Sequence, residues 1–120
     1  MYVQGFVVPV PADKEEEYRD MANKFWPVAK DFGATEHVEV WEEDVPDGKQ
    51  TDFRRAVQLG ENEKVVFSWV IWPDKATADA GHEKMMSDPR MQEMDMENMP
   101  FDGKRMIFGG FRPLVTNGRD

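Results

Sequence analysis

The chain has 120 residues, 15 Lys and Arg against 24 Asp and Glu, a formal net charge of −9 and no cysteine. That length suits one domain with one core, and the acidic balance argues against nucleic-acid backbones and anionic membranes, which need clustered cations. Without cysteine there is no disulfide, thiolate nucleophile or Cys-ligated zinc, which fits a reducing, cytoplasmic setting.

Residues 2–10 read as the first strand. Tyr2, Gln4, Phe6 and Val8 alternate with Val3, Gly5 and Val7, and both faces are largely apolar, as in a central strand. The opening MYVQGFVVPV has no basic region and runs into Pro9 and Pro11, so it reads as a strand and not a signal peptide. No apolar run is long enough to span a bilayer. Pro11, then Asp13 with Glu16 three residues on, predicts a helix start with a capping-box-like pair. Tyr18, Met21, Ala22, Phe25, Ala29 and Phe32 follow at helical spacing, Pro27 predicts a kink near residues 23–26, and Gly33 ends the helix.

Residues 35–42 alternate Glu36, Val38, Val40 with His37, Glu39, Trp41, the pattern of a strand near an edge. A turn-rich loop follows. Residues 52–59 then read as an extra strand and 60–63 as the hairpin turn into 64–72, a central strand apolar on both faces. Pro73-Asp74 opens a second helix over 75–86, ended by Ser87-Asp88-Pro89. Residues 90–98 read as a short helix or an irregular Met-rich cover. The Asp102-Gly103 turn leads to the last strand, 104–114, where Gly109-Gly110 marks a bulge or a close approach. That strand has to meet the first for the sheet to close.

The order β-α-β-(β)-β-α-β, with a Pro and an Asp-Lys pair before each helix, predicts a ferredoxin-like α+β fold: a split β-α-β with an extra hairpin strand. Residues 1–115 form the domain and 116–120 a tail. Two helices cover one sheet face only. Strands ~4.8 Å apart and ~20 Å long leave on the order of 400–500 Å² uncovered. A soluble monomer's largest apolar patch is ~300–600 Å², so a homodimer pairing sheet against sheet is the expected cover.

The blocks GFVVPVPADKEEEYR, FGATEHVEVWEEDVPDGKQTDFRRAV, VVFSWVIWP, EKMMSDPRM and MPFDGKRMIFGGF together resemble the YbaA-like bacterial proteins, a family of unknown function. The resemblance runs over about residues 2–115. It implies a dimeric α/β barrel of ferredoxin-like subunits. The wider superfamily holds cofactor-free quinone-forming monooxygenases, muconolactone isomerases and haem-binding chlorite dismutases, but shared fold does not transfer activity. Some relatives carry a label linking them to a signal-recognition RNA particle, which the acidic charge does not support. His82 stands where the family's look leads one to expect Asn.

His37, Glu39 and Trp41 share a face that, on this topology, looks into the dimer interior. They read either as the acid/base pair and aromatic wall of a ligand cavity or as the wet face of an edge strand. Arg54 and Arg55 point to opposite faces. One could orient a carboxylate or enolate, and the plainer use is ion pairing with nearby acids. Arg105, beside the Asp102 turn, either pairs with Asp102 or sits at the cavity mouth, and Trp69 is a second candidate wall. His82 reads as a packed core residue. His37 and His82 with one carboxylate could form an iron site, but no local spacing supports it. Met85, Met86, Met91, Met94, Met96 and Met99 could be soft ligands for Cu(I), and packing explains them without a metal. Three functions compete. One is a cofactor-free, metal-free oxygenase- or isomerase-like enzyme with His37 or Glu39 as base, acting on an aromatic or enolisable molecule. Another is a non-catalytic dimeric binding or stress-related module for a small apolar ligand or a protein partner. The third, nucleic-acid binding, conflicts with the charge.

Overall fold

The computed structural model describes residues 1–94 and 98–119. Eight elements follow in order: β1 (Tyr2–Pro11), α1 (Glu15–Asp31), β2 (Glu36–Trp41), α2 (Phe53–Ala56), β3 (Glu63–Trp72), α3 (Lys75–Met86), α4 (Pro89–Gln92) and β4 (Ile107–Phe111). The sheet order is β2-β3-β1-β4, and every neighbouring pair is antiparallel. This is the ferredoxin-like α+β arrangement. The first and last strands meet, with Val3 opposite Phe111 and Val7 opposite Ile107.

One face of the sheet is covered. Val28 and Ala29 of α1, Ala78 and Met85 of α3, and Val70 and Trp72 of β3 form one buried cluster. Val8, Val10, Tyr18 and Val66 form a second. Trp72 anchors the first cluster: its indole N–H donates to Gln4 Oε1 at 2.7 Å. Gly81 lets α3 approach, since a β-carbon there would stand 2.7 Å from the Trp72 ring. Helix α1 runs through Pro27 as one continuous helix. It closes on Gly33 at φ +114°, with Gly33 N–H bonded to Lys30 and Ala34 N–H to Ala29, a Schellman ending.

The opposite face is open. Register puts Val38, Val40, Phe67, Trp69, Gly5, Val7, Ile107 and Phe111 on it. Val40, Phe67, Ile107 and Phe111 are all exposed, Phe111 by 60%.

Several expectations need correction. No fifth strand forms over 52–59. Asp52 instead caps the single turn α2, accepting from Arg55 N–H at 2.7 Å, and Gln58 turns to φ +51°. Local carboxylate–backbone bonds outcompete pairing there, and both sides of β3 are already taken by β2 and β1. The Asp13–Glu16 capping box is absent: a 3₁₀ turn over Ala12–Lys14 precedes α1, and neither start has a side-chain cap. Met86, which the sequence reading counted among the packing methionines, is 79% exposed, while Ala78, Gly81 and Met85 are the buried residues of α3. The last strand is shorter than 104–114. Its glycine break does admit a close neighbour, because a β-carbon at Gly110 would overlap the Tyr2 hydroxyl. Met96 lies outside the described residues.

Candidate functional site

The alternation of β2 sends His37, Glu39 and Trp41 to one face, as the sequence implies, but that face is the covered one. The dimer-interior placement is therefore corrected. Period-two alternation fixes which residues share a face, and the helices decide which face they cover. Beneath α1 the three residues meet Tyr18, Phe25 and Trp26, side chains presented at helical spacing. The Tyr18 hydroxyl donates to Glu39 Oε1 at 2.7 Å. His37 Nε2 lies 2.7 Å from Glu39 Oε2. With Glu39 ionised, Nε2 carries the proton and donates, which leaves the imidazole lone pair on Nδ1.

The His37 ring is clamped. Phe25 meets it edge-on at 5.1 Å and Trp26 lies nearly parallel at 6.2 Å. Its side chain is 8% exposed, against 24% for Glu39. Burial is the first cause that pushes the Tyr18 phenol far above its ordinary range, followed by the charge of Glu39 and the hydrogen bond to it. Tyr18 therefore remains a protonated donor. Sequence reading counted Tyr18 only as core. Its hydroxyl inside an otherwise apolar stripe was the available signal.

Two pockets share Tyr18, Ala22, His37 and Glu39 in their walls. The outer one, about 240 Å³, is polar and includes Glu15, Arg19, Asn23 and Trp41. The inner one, about 220 Å³, lies between α1, the sheet and the methionine-bearing segment after α4. Met21, Met91, Met94, Met99 and Met106 line it together with Phe101 and Ser68. The sequence did not show that methionines so far apart, or Ser68, would converge beside His37. An engineered apolar cavity of about 150 Å³ holds benzene, so the inner pocket has room for one ring with substituents or two fused rings.

The remaining predicted residues lie elsewhere. Trp69 is on the open face, where its indole N–H donates to Glu36 at 2.7 Å. It lines an apolar trough of about 520 Å³ with Phe67, Gly109 and Phe111. Arg54 pairs with Glu42 at 2.9 Å. Arg55 binds Asp52 at 2.9 Å and the carbonyls of Gly48 and Gln50, closing the loop before α2. Arg105 forks onto Glu63 at 2.7 and 2.6 Å and onto Asp102 at 2.7 Å, so it ties the final turn to β3. The structure brings none of the three arginines to the His37–Glu39 pair. His82 is a packed residue, as the plainer reading had it: Nε2 donates to Gln4 Oε1 at 3.1 Å and the ring meets Trp72 edge-on at 5.4 Å. Burial lowers its pKa. Among the described residues no three of His, Cys, Asp and Glu gather as a metal set.

A family model for DUF1428, a family of proteins of unknown function, matches residues 1–103. The chain belongs to this family. It is 61% identical over 114 residues to the uncharacterized protein YbaA of Escherichia coli K12, covering 95% of this chain and 97% of that one. YbaA of Shigella flexneri matches equally, at 61%. Among solved structures, a NIPSNAP domain protein from Burkholderia xenovorans aligns with a TM-score of 0.60 at 14% identity, covering 99% of this chain and all of that one. A protein described as a dimeric ferredoxin-like protein, from an uncultured marine organism, aligns with a TM-score of 0.66 at 7% identity over 99% of this chain and 100% of its own. At those identities the two structures support the fold alone. No helix among the described residues is long and apolar enough to cross a membrane.

Proposed function

We propose that this chain is a cytoplasmic, homodimeric small-molecule-binding protein whose inner pocket performs acid/base chemistry on an aromatic or enolisable molecule without a cofactor. The observation that carries the reading is the hydrogen-bonded series Tyr18–Glu39–His37 at the edge of an apolar pocket. In this reading His37 is the base, through Nδ1. Glu39 holds the ring's tautomer and balances the imidazolium that forms when a proton is taken. Tyr18 fixes Glu39, and Trp41 walls the outer side. The apolar lining keeps water from the proton in transit. Dimerisation through the open face is supported by its exposed Val40, Phe67, Ile107 and Phe111 and by the dimeric description of one structural neighbour. A net charge of −9 supports small-molecule over nucleic-acid binding.

The test is a panel of phenols and enolisable ketones, screened for thermal stabilisation and then for turnover. His37→Ala and Glu39→Gln are expected to abolish turnover while leaving binding within a few-fold. Turnover unchanged in both would remove the assignment. One observation favours a non-catalytic binding module: both Glu39 oxygens are already engaged by Tyr18 and His37. That reading predicts stabilisation by ligand with no product.

A further inference from the structure

β3 runs through the centre of the sheet as EKVVFSWVIW, and Ser68 brings the only hydroxyl in it. Ser68 is 2% exposed and is the one buried polar residue among those described. Ser68 also lines the inner pocket, on a wall that is otherwise largely apolar. A hydroxyl set in a mainly apolar pocket wall marks where a polar atom of a guest can be recognised.

Register sharpens the position. Ser68 stands directly opposite Glu39 on β2 and opposite Phe6 on β1. Residues so paired have β-carbons about 5 Å apart on one face. Ser68, Glu39 and His37 therefore gather at one end of the pocket, while methionine thioethers and the Phe25 and Phe101 rings line the rest. No Lys or Arg lines it. A carboxylate or phosphate there would face Glu39 with no counter-charge.

We infer that Ser68 is the anchoring residue of the pocket and that its ligand is an uncharged, one- or two-ring apolar molecule bearing a single hydroxyl or carbonyl. The guest's oxygen sits between the Ser68 hydroxyl and the His37 ring, and its rings lie against the methionines, whose flexible, polarisable side chains adapt to flat guests. This inference rests on reading the inner pocket as a binding site.

Three probes of one shape separate the two claims. The full chain is titrated at neutral pH with naphthalene, 2-naphthol and 2-naphthoate by calorimetry, and Ser68→Ala is measured beside it. Both naphthalene and 2-naphthol should bind the unaltered chain, 2-naphthol about tenfold more tightly, and 2-naphthoate weakest. Ser68→Ala should weaken 2-naphthol several-fold, leaving it the His37 contact, and leave naphthalene unchanged. The ligand-free variant should melt at the same temperature as the parent or higher. Equal binding of naphthalene and 2-naphthol, or 2-naphthol binding unaltered by Ser68→Ala, would overturn the anchor and leave the pocket standing. Tightest binding by 2-naphthoate would overturn the uncharged class. A marked fall in the variant's melting temperature would assign the hydroxyl to the fold instead. Binding of none of the three would overturn the pocket reading and the anchor together.

Discussion

Replacing Tyr18 by Phe tests the central geometry with almost no change of shape. The substitution removes one hydroxyl, buried and 2.7 Å from Glu39 Oε1, and leaves the ring against Phe101 at 6.1 Å. Hydrogen bonds to charged groups contribute about 1.5–3 kcal/mol net. Glu39 is 24% exposed, so water can replace part of the lost bond, which points to the lower half of that range, about 1.5–2 kcal/mol. In a chain this size that is a fall in melting temperature of roughly 5–10 °C. Urea unfolding followed by fluorescence of the four tryptophans reads it as a shifted midpoint at constant slope. Glu39→Gln keeps an oxygen for Tyr18 but offers His37 an amide N–H, which forces the ring to the opposite tautomer. The double variant should lose about 1 kcal/mol less than the two single losses summed. The pH dependence follows from the raised Tyr18 pKa. The folded state keeps the phenol protonated where the unfolded chain ionises it. Stability from this group is complete below about pH 10 and is lost as pH rises beyond it, a decline Tyr18→Phe should lessen. Unchanged stability in Tyr18→Phe, together with strict additivity in the cycle, would refute the series as an energetic unit.

Gly81→Ala sets two effects against each other. Helix propensity favours Ala by about 1 kcal/mol, whereas a β-carbon 2.7 Å from the pinned Trp72 ring costs about 1–3 kcal/mol. Net destabilisation is expected in calorimetry, and a more stable variant would contradict the packing. For His82, burial lowers the folded pKa, so the unfolded state binds the proton first. Stability should fall as pH drops below the ordinary histidine value of about 6.5, and His82→Asn should flatten that slope in unfolding curves between pH 7 and 5. Phe67→Asp on the open face should weaken self-association ~30-fold or more, about 2 kcal/mol, in sedentary dilution series read by light scattering. A parent chain that returns the mass of a single 13.9 kDa chain at micromolar concentration would dispose of the dimer.

Much of the fold was legible because its signals are local. Alternation marked β2, runs apolar on both faces marked β1 and β3, Pro73-Asp74 and Ser87-Asp88-Pro89 bounded α3, and Gly33 ended α1. The misread segment, 52–59, has strand-like composition, but one carboxylate bonded to nearby backbone N–H groups was enough to turn it into α2. The candidate site was half legible. His37 and Glu39 were found because they share a strand face two residues apart. Tyr18 and Ser68 were not, since a hydroxyl in an apolar run reads the same whether it faces a partner, a pocket or solvent.

The sequence by itself determined the elements, the ferredoxin-like order and the pairing of His37 with Glu39, because each depends on spacing along a few residues. Tertiary structure alone decided which side of the sheet the helices cover. A strand's alternation is symmetric between its two faces, and only the packing of α1 and α3 breaks that symmetry. That choice put the His37–Glu39 pair under Tyr18 instead of in the open trough.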